Sequence, residues 1–111
     1  MNRSGYRDPT AERAVEQVMR EQKKTRKMME LVDTIEMMTS SDYKERFKAE
    51  YYQLRIRYTK LKKMVDTWEH LSFKPTCSRH LFCMQLEAMR SYLTIMKHRA
   101  LAEGIELNEI I

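Results

Sequence analysis

The most regular hydrophobic pattern lies in the middle of the chain. Apolar residues recur there at alternating intervals of four and three, at Phe47, Tyr51, Leu54, Tyr58, Leu61, Val65 and Trp68. This heptad spacing is typical of coiled coils and places one continuous apolar stripe on a helix. Asp42 and Glu45 have the spacing of a capping box, with Asp in place of the usual Ser or Thr. We therefore predict a helix over about 42–69.

A second heptad pattern follows a short segment that contains Pro75. Its members are Phe82, Leu86, Met89, Leu93, Met96 and Ala100. Thr76 or Ser78 can cap this helix, and Gly104 is suited to end it because glycine readily adopts the left-handed conformation. We predict a helix over about 78–103. Since the loop is short, the two helices should form a long antiparallel hairpin.

The N-terminal third is less regular. Residues 1–8 show no periodicity and are predicted to be a flexible arm, after which Pro9 suits the first position of a helix. No Gly or Pro interrupts residues 9–39, which predicts a third helix, although residues 20–27 are almost all polar. The prediction is an all-α protein with a single domain over 1–111 that ends in a tail at 105–111.

The predicted hairpin does not bury all of its apolar residues. Leu81, Ala88, Tyr92 and Ile95 form a second stripe on the third helix, and the second helix adds apolar residues outside its seam, at Tyr52 and Ile56. Each helix of a two-helix hairpin buries one stripe. Burial of the second stripe requires contact with the N-terminal helix or with another subunit. We predict both contacts, and hence a homo-oligomer. Whether the N-terminal helix packs within its own chain stays open.

Composition narrows the class of protein. The 111 residues include only 2 Gly and 2 Pro, too few for the many turns of an all-β fold. No run of about 18 apolar residues predicts a membrane span, and no apolar segment at the N-terminus predicts a signal peptide. Two cysteines do not make a disulfide framework. We expect a cytoplasmic protein that does not associate with membranes.

Metal and catalytic sites find little support in the sequence. Cys77, His80 and Cys83 follow one another at steps of three, so on a helix their side chains spread around the axis, and no paired CxxC is present. The sequence contains no phosphate-binding loop, zinc-protease helix or nucleophile elbow. We predict a binding protein that is not an enzyme and has neither a metal nor a cofactor.

The positive charge is concentrated on the second helix. Residues 41–75 carry nine basic and five acidic side chains, whereas the segments before and after are close to neutral. A tyrosine among basic residues can stack on a base while its neighbours hold phosphates. This chemistry makes Tyr52, Arg55, Arg57 and Lys60 candidate ligand-binding residues. A solvated helix face, whose lysine stems cover the tyrosine ring, remains the alternative.

Two segments resemble known proteins. Arg57-Tyr58-x-Lys60-Leu61 and Gln85-Leu86-x-Ala88-Met89-x-x-Tyr92-Leu93, within residues 51–107, resemble a family of small helical-hairpin proteins found in crAss-like phages and prophages. Gly5-Tyr6-Arg7 ahead of a helical hairpin is similar to the anti-CBASS and anti-Thoeris sponges of phages. Those small oligomeric proteins sequester nucleotide immune signals between subunits, through aromatic and basic side chains. The resemblance adds Tyr6 and Arg7 to the candidate ligand-binding residues.

These observations predict a phage-encoded anti-defence protein of the host cytoplasm. It would be a non-enzymatic homo-oligomer that binds and sequesters a nucleotide-derived signal, either a cyclic nucleotide or an ADP-ribose derivative, at its subunit interfaces. The alternative is a protein–protein inhibitor or adaptor, similar to anti-CRISPR proteins, that binds a host defence protein or a phage replication protein. Nucleic-acid binding is disfavoured, because a net charge of +5 over three long helices is modest.

Overall fold

A computed structural model of the protein describes residues 29–108. All regular elements in this part of the chain are helical, which confirms the all-α prediction for it. The elements are a 3₁₀ turn (Leu31–Thr34), the short helix α1 (Ile35–Met38), the long helix α2 (Tyr43–Asp66), a 3₁₀ turn (Trp68–His70) and the long helix α3 (Arg79–Glu103).

Local capping fixes both ends of α2. The carboxylate of Asp42 accepts a hydrogen bond from the backbone N–H of Lys44 at 3.0 Å, as expected of an N-cap. Glu45, the other half of the predicted capping box, is paired with Lys48 at 3.2 Å. At the other end Thr67 caps the helix, and the chain then tightens into a 3₁₀ turn. The helix therefore ends three residues earlier than predicted.

The predicted bounds of α3 are confirmed. Ser78 is its N-cap, and the Ser78 hydroxyl accepts a hydrogen bond from the N–H of Leu81 at 3.3 Å. Gly104 follows the last turn with φ 66° and ψ 34°, in the left-handed region. The next N–H, of Ile105, donates to the carbonyl of Ala100 at 2.9 Å. This turn directs the tail back toward the helices and buries Ile105.

Helices α2 and α3 lie side by side in opposite directions. Near the connecting loop, the rings of Trp68 and Phe82 are 5.9 Å apart. At the far end, the Arg99 guanidinium lies 4.8 Å from the centre of the Phe47 ring and donates to the Tyr43 hydroxyl at 2.9 Å. The apolar stripes of the two helices meet between these ends. The buried core consists of Phe47, Tyr51, Tyr52, Leu93, Met96, Ala100 and Ile105.

The predicted continuous helix over 9–39 is wrong where the structure describes it. Met29 and Glu30 are not helical, and Glu30 is extended. Helical structure begins at Leu31, where the carboxylate of Asp33 accepts a hydrogen bond from the backbone N–H of Glu30 at 2.9 Å and so satisfies a donor at the helix start. The predicted arm over 1–8, and the predicted helix up to residue 28, lie outside the described residues.

The segment 29–38 packs against α2 within the same chain. Thr34 is fully buried; its hydroxyl donates to the Leu31 carbonyl at 2.7 Å and accepts from the Gln53 amide at 2.9 Å. Lys60 and Glu30 form an ion pair at 3.0 Å further along the same side of α2. This segment thus covers a face of α2 that the hairpin alone would expose.

Candidate ligand-binding groove

A basic groove runs along the second half of α2. It has a volume of about 320 Å³. Its lining residues are Arg55, Tyr58, Thr59, Lys62, Lys63 and Asp66. Four of them, at positions 55, 59, 62 and 66, are spaced by four, three and four, and therefore lie in line on one side of the helix. The groove carries three cations and one carboxylate.

One of the three cations is already paired. Lys62 Nζ lies 2.7 Å from the Asp66 carboxylate, and both side chains are about half exposed. The hydrogen bond and the negative charge of Asp66 raise the pKa of Lys62. Exposed pairs of this kind contribute little to stability. Asp66 holds the Lys62 side chain in the groove, yet a bound anion could displace this carboxylate at small cost.

The other two cations have no partner within the part of the chain that the structure describes. Among residues 29–108, the side chains of Arg55 and Lys63 form no ion pair and no hydrogen bond. A guanidinium matches a phosphate with two parallel hydrogen bonds, and an ammonium acts as a point charge. Tyr58 adds an aromatic ring that is half-buried against the core. The groove thus combines charge for phosphates with an aromatic side chain.

Of three other residues predicted from sequence to bind a ligand, the structure describes only Tyr52. Tyr6 and Arg7 lie outside the described residues. Tyr52 is in the core with 2% of its surface exposed. Its hydroxyl accepts a hydrogen bond from the backbone N–H of Asn108 at 3.0 Å. The Tyr52 ring is therefore not open for stacking on a ligand, and its role in this structure is to hold the tail against α2.

The three basic residues predicted to act together diverge. Arg55 lines the groove, but Arg57 is two residues further on and points about 200° away around the helix. Arg57 is exposed, and Lys60 is paired with Glu30 at 3.0 Å. Their spacing in the sequence already places Arg55 on one face of the helix and Arg57 and Lys60 near a different edge. The structure brings only Arg55 to the groove.

Tyr58, Lys63 and Asp66 were not predicted as site residues. The seam pattern assigned Tyr58 to the core, and its half-burial shows that the same ring reaches both the core and the groove. The spacing of residues 55, 59, 62 and 66 was the signal available in the sequence. This spacing of four, three and four also occurs in the apolar heptad pattern of α2, but here it identifies a polar side of the helix.

A second cavity, of about 390 Å³, lies between the last turns of α3 and the tail at residues 105–108. Its charged lining residues are Lys97 and Glu106, and the rest are mostly apolar, including Tyr51 and Leu101. Because the two charges offset each other, this cavity has no excess of positive charge. It is less suited than the groove to an anionic ligand.

Within the described part of the chain, no cluster of three or more His, Cys, Asp or Glu residues could hold a metal ion. The same residues include no helix that is long and apolar enough to cross a membrane. Cys77 is exposed and Cys83 half-buried, and neither forms a disulfide.

A family model described as Sequestin matches residues 41–102, more than half of the 111 residues. The chain belongs to the Sequestin family. The matched span contains all of α2 and nearly all of α3, so the basic groove lies within the part that the family shares. The family name suggests sequestration of a molecule. No curated protein and no solved structure shows a significant match to this chain.

Proposed function

We propose that this member of the family is a phage-encoded, non-enzymatic protein that sequesters a nucleotide-derived immune signal in the host cytoplasm. The observation that carries the proposal is the groove, where Arg55 and Lys63 flank Tyr58 without a protein partner among the described residues. Membership of the Sequestin family supports sequestration as the activity. Binding removes the signal from its receptor, and no chemical step is required.

The spacing of the cations favours a ligand with more than one phosphate. Arg55 and Lys63 are eight residues apart, which corresponds to about 12 Å along the helix. Their long side chains can hold two phosphates of one ligand or both sides of a pyrophosphate. Cyclic oligonucleotides and ADP-ribose derivatives carry such groups beside a base. The exposed edge of Tyr58 is the side chain of the groove that can contact that base.

The groove itself has only one wall. All six lining residues belong to α2, so a ligand bound there would keep its opposite side in solvent. Small-molecule sites usually bury most of the ligand surface. We therefore propose that a second subunit covers the groove and that sequestration takes place at a subunit interface. Preformed helices on both sides would lose little conformational entropy on binding.

Isothermal titration calorimetry against cyclic di- and trinucleotides and ADP-ribose-derived signals tests this function. The hypothesis predicts submicromolar affinity for one class. Arg55→Ala should weaken binding by roughly 10- to 100-fold, since a charge-assisted hydrogen bond contributes about 1.5–3 kcal/mol. Arg57→Ala is the matched control, because it removes the same type of side chain from the opposite side of α2 and should change affinity less than about twofold.

Two results would refute this assignment. If no ligand of the panel binds the wild-type protein, nucleotide sequestration is wrong. Equal losses in Arg55→Ala and Arg57→Ala would show that only the overall charge matters and that the groove is not the site. Lys63→Ala then serves as an independent check, because Lys63 contributes to the groove from about one helical turn beyond Thr59.

A protein–protein inhibitor is the second candidate function. The observation that favours it is a row of exposed apolar side chains on α3, which includes Leu81, Met84 and Ile95. Under this alternative, calorimetry detects no small ligand, and the protein forms a stoichiometric complex with a host defence protein or a phage replication protein. Substitution of the apolar row, and not of Arg55, would abolish that complex.

A further inference from the structure

Helix α3 carries an apolar face that nothing in the described part of the chain covers. Leu81, Met84, Tyr92 and Ile95 are 42–57% exposed, and Ala88 lies exposed between them. These five residues, here called the outer stripe, are spaced by three, four, four and three. They therefore lie on one side of the helix. This side differs from the one that packs on α2 through Leu93, Met96 and Ala100, which are buried.

The outer stripe is symmetric about Ala88. Met84 and Tyr92 lie four residues before and after it, and Leu81 and Ile95 lie seven residues before and after it. An antiparallel copy of the same helix, placed with Ala88 facing Ala88, would set Leu81 against Ile95 and Met84 against Tyr92. Two-fold contacts require this self-complementarity. The small side chain at the centre would let the two helices approach closely.

We propose that α3 packs antiparallel against α3 of a second copy, with the two-fold axis at Ala88. The exposed apolar area of the outer stripe is consistent with a second copy of α3 as its partner. Four half-exposed large side chains present on the order of 400 Å² of apolar surface. A stable interface buries about 800 Å² per partner, of which roughly 56–65% is apolar. The outer stripe thus supplies most of the apolar area that a stable dimer needs, and its polar edges supply the rest.

Charge also favours a second copy on this face. The protein has a net charge of +5, and most of the excess lies on α2, so α2 packed against α2 of a second copy would be repelled. The segment from residue 76 onward has four basic and four acidic residues. Gln85 and Ser91, at the edges of the outer stripe next to Ala88, are uncharged. Two copies can therefore meet here without opposing like charges at the axis.

The chain before Met29 is a poorer occupant of this face. From Thr10 onward its large apolar residues are Val15, Val18, Met19 and Met28, and the eight residues between Met19 and Met28 are all polar. The outer stripe extends over 15 residues, or about 21 Å, with an apolar residue at every third or fourth position. A segment interrupted by eight polar residues would leave the middle of the outer stripe without apolar contacts.

This contact is independent of the proposed ligand site. The Tyr92 hydroxyl donates to the carboxylate of Glu50, which fixes the side of α2 on which the outer stripe lies. Thr59, in the basic groove, is nine residues from Glu50 and so lies on the opposite side of α2. The dimer contact would leave both grooves open, and a different contact must cover them. The tests of the α3–α3 contact therefore use no ligand.

The first test compares the oligomeric state of two charge substitutions in full-length protein. Ala88→Glu places two carboxylates against each other at the axis, whereas Thr94→Glu adds the same charge on another side of α3. Sedimentation equilibrium should show that Ala88→Glu raises the dissociation constant roughly 100-fold or more. Thr94→Glu should leave it within about threefold. A wild-type monomer of 13.5 kDa at micromolar concentration, or a dimer that survives Ala88→Glu, would overturn the proposal.

The second test reads the register directly. In a background in which Cys77 and Cys83 are replaced by Ser, Ala88→Cys should form a disulfide-linked dimer on mild oxidation, because the two residues face each other across the axis. Thr94→Cys should not. Cross-linking at Thr94 but not at Ala88 would contradict this register. A monomer without cross-links at either position would overturn the proposal.

Discussion

Leu93 and Leu101 offer a direct test of which side of α3 is in the core. Both are leucines on the same helix, eight residues apart, but Leu93 is 4% exposed and Leu101 is 81% exposed. Replacement by Ala removes three carbons, and burial of a methylene is worth about 0.8 kcal/mol. The hydrophobic burial energy lost in Leu93→Ala is therefore about 2.4 kcal/mol. The cavity left behind raises the expected decrease in the free energy of unfolding to about 3–4 kcal/mol.

The same arithmetic predicts a small effect at Leu101. About a fifth of its surface is buried, so Leu101→Ala should cost no more than about 0.5 kcal/mol. The free energy of unfolding, from urea denaturation monitored by circular dichroism at several protein concentrations, measures both losses. The predicted difference is at least about 2 kcal/mol. Equal losses would refute the assigned orientation of α3, since the substitution and the helix are the same.

Three other changes test local features of the fold and the groove. Gly104→Ala should lower the free energy of unfolding by about 1 kcal/mol, because φ is 66° while nothing lies within 4 Å of the added carbon; a loss near zero would contradict this cause. Thr34→Val should cost about 1–3 kcal/mol in the same assay, because it removes the oxygen acceptor of the Gln53 amide and leaves only the weaker Met38 sulfur. Asp66→Asn should lower the pKa of Lys62 toward its ordinary value of 10.5, as measured by NMR titration, and an unchanged pKa would rule out the ion pair as the cause.

The heptad patterns predicted α2 and α3 well because a long helix depends mainly on local signals. The apolar spacing gave the packed sides, and Asp42, Ser78 and Gly104 gave the ends through their own side chains or backbone. Leu54 and Leu61 are only partly buried, although they stand in the middle of the predicted seam. Periodicity predicts which side of a helix packs, whereas the depth of burial depends on what lies opposite.

The errors concern contacts between distant parts of the chain. Tyr52 was predicted as a stacking residue because it stands between Lys48 and Arg55 in the sequence. It is buried because the tail returns after Gly104 and donates a hydrogen bond to it from Asn108. A contact over 56 residues leaves no periodic signal in the sequence. The two-residue spacing of Arg55 and Arg57, by contrast, was sufficient to show that they diverge on a helix.

The ligand recovered from the protein tests sequestration at the groove most directly. Wild-type, Arg55→Ala and Arg57→Ala proteins would be purified from cells with an active nucleotide-signalling defence, denatured, and their released small molecules identified by mass spectrometry. The account predicts an intact nucleotide signal, close to stoichiometric with its binding sites, from the wild-type and Arg57→Ala proteins and little from Arg55→Ala. A cleaved product would indicate an enzyme. No nucleotide from the wild-type protein, or equal recovery from all three, would contradict sequestration by this groove.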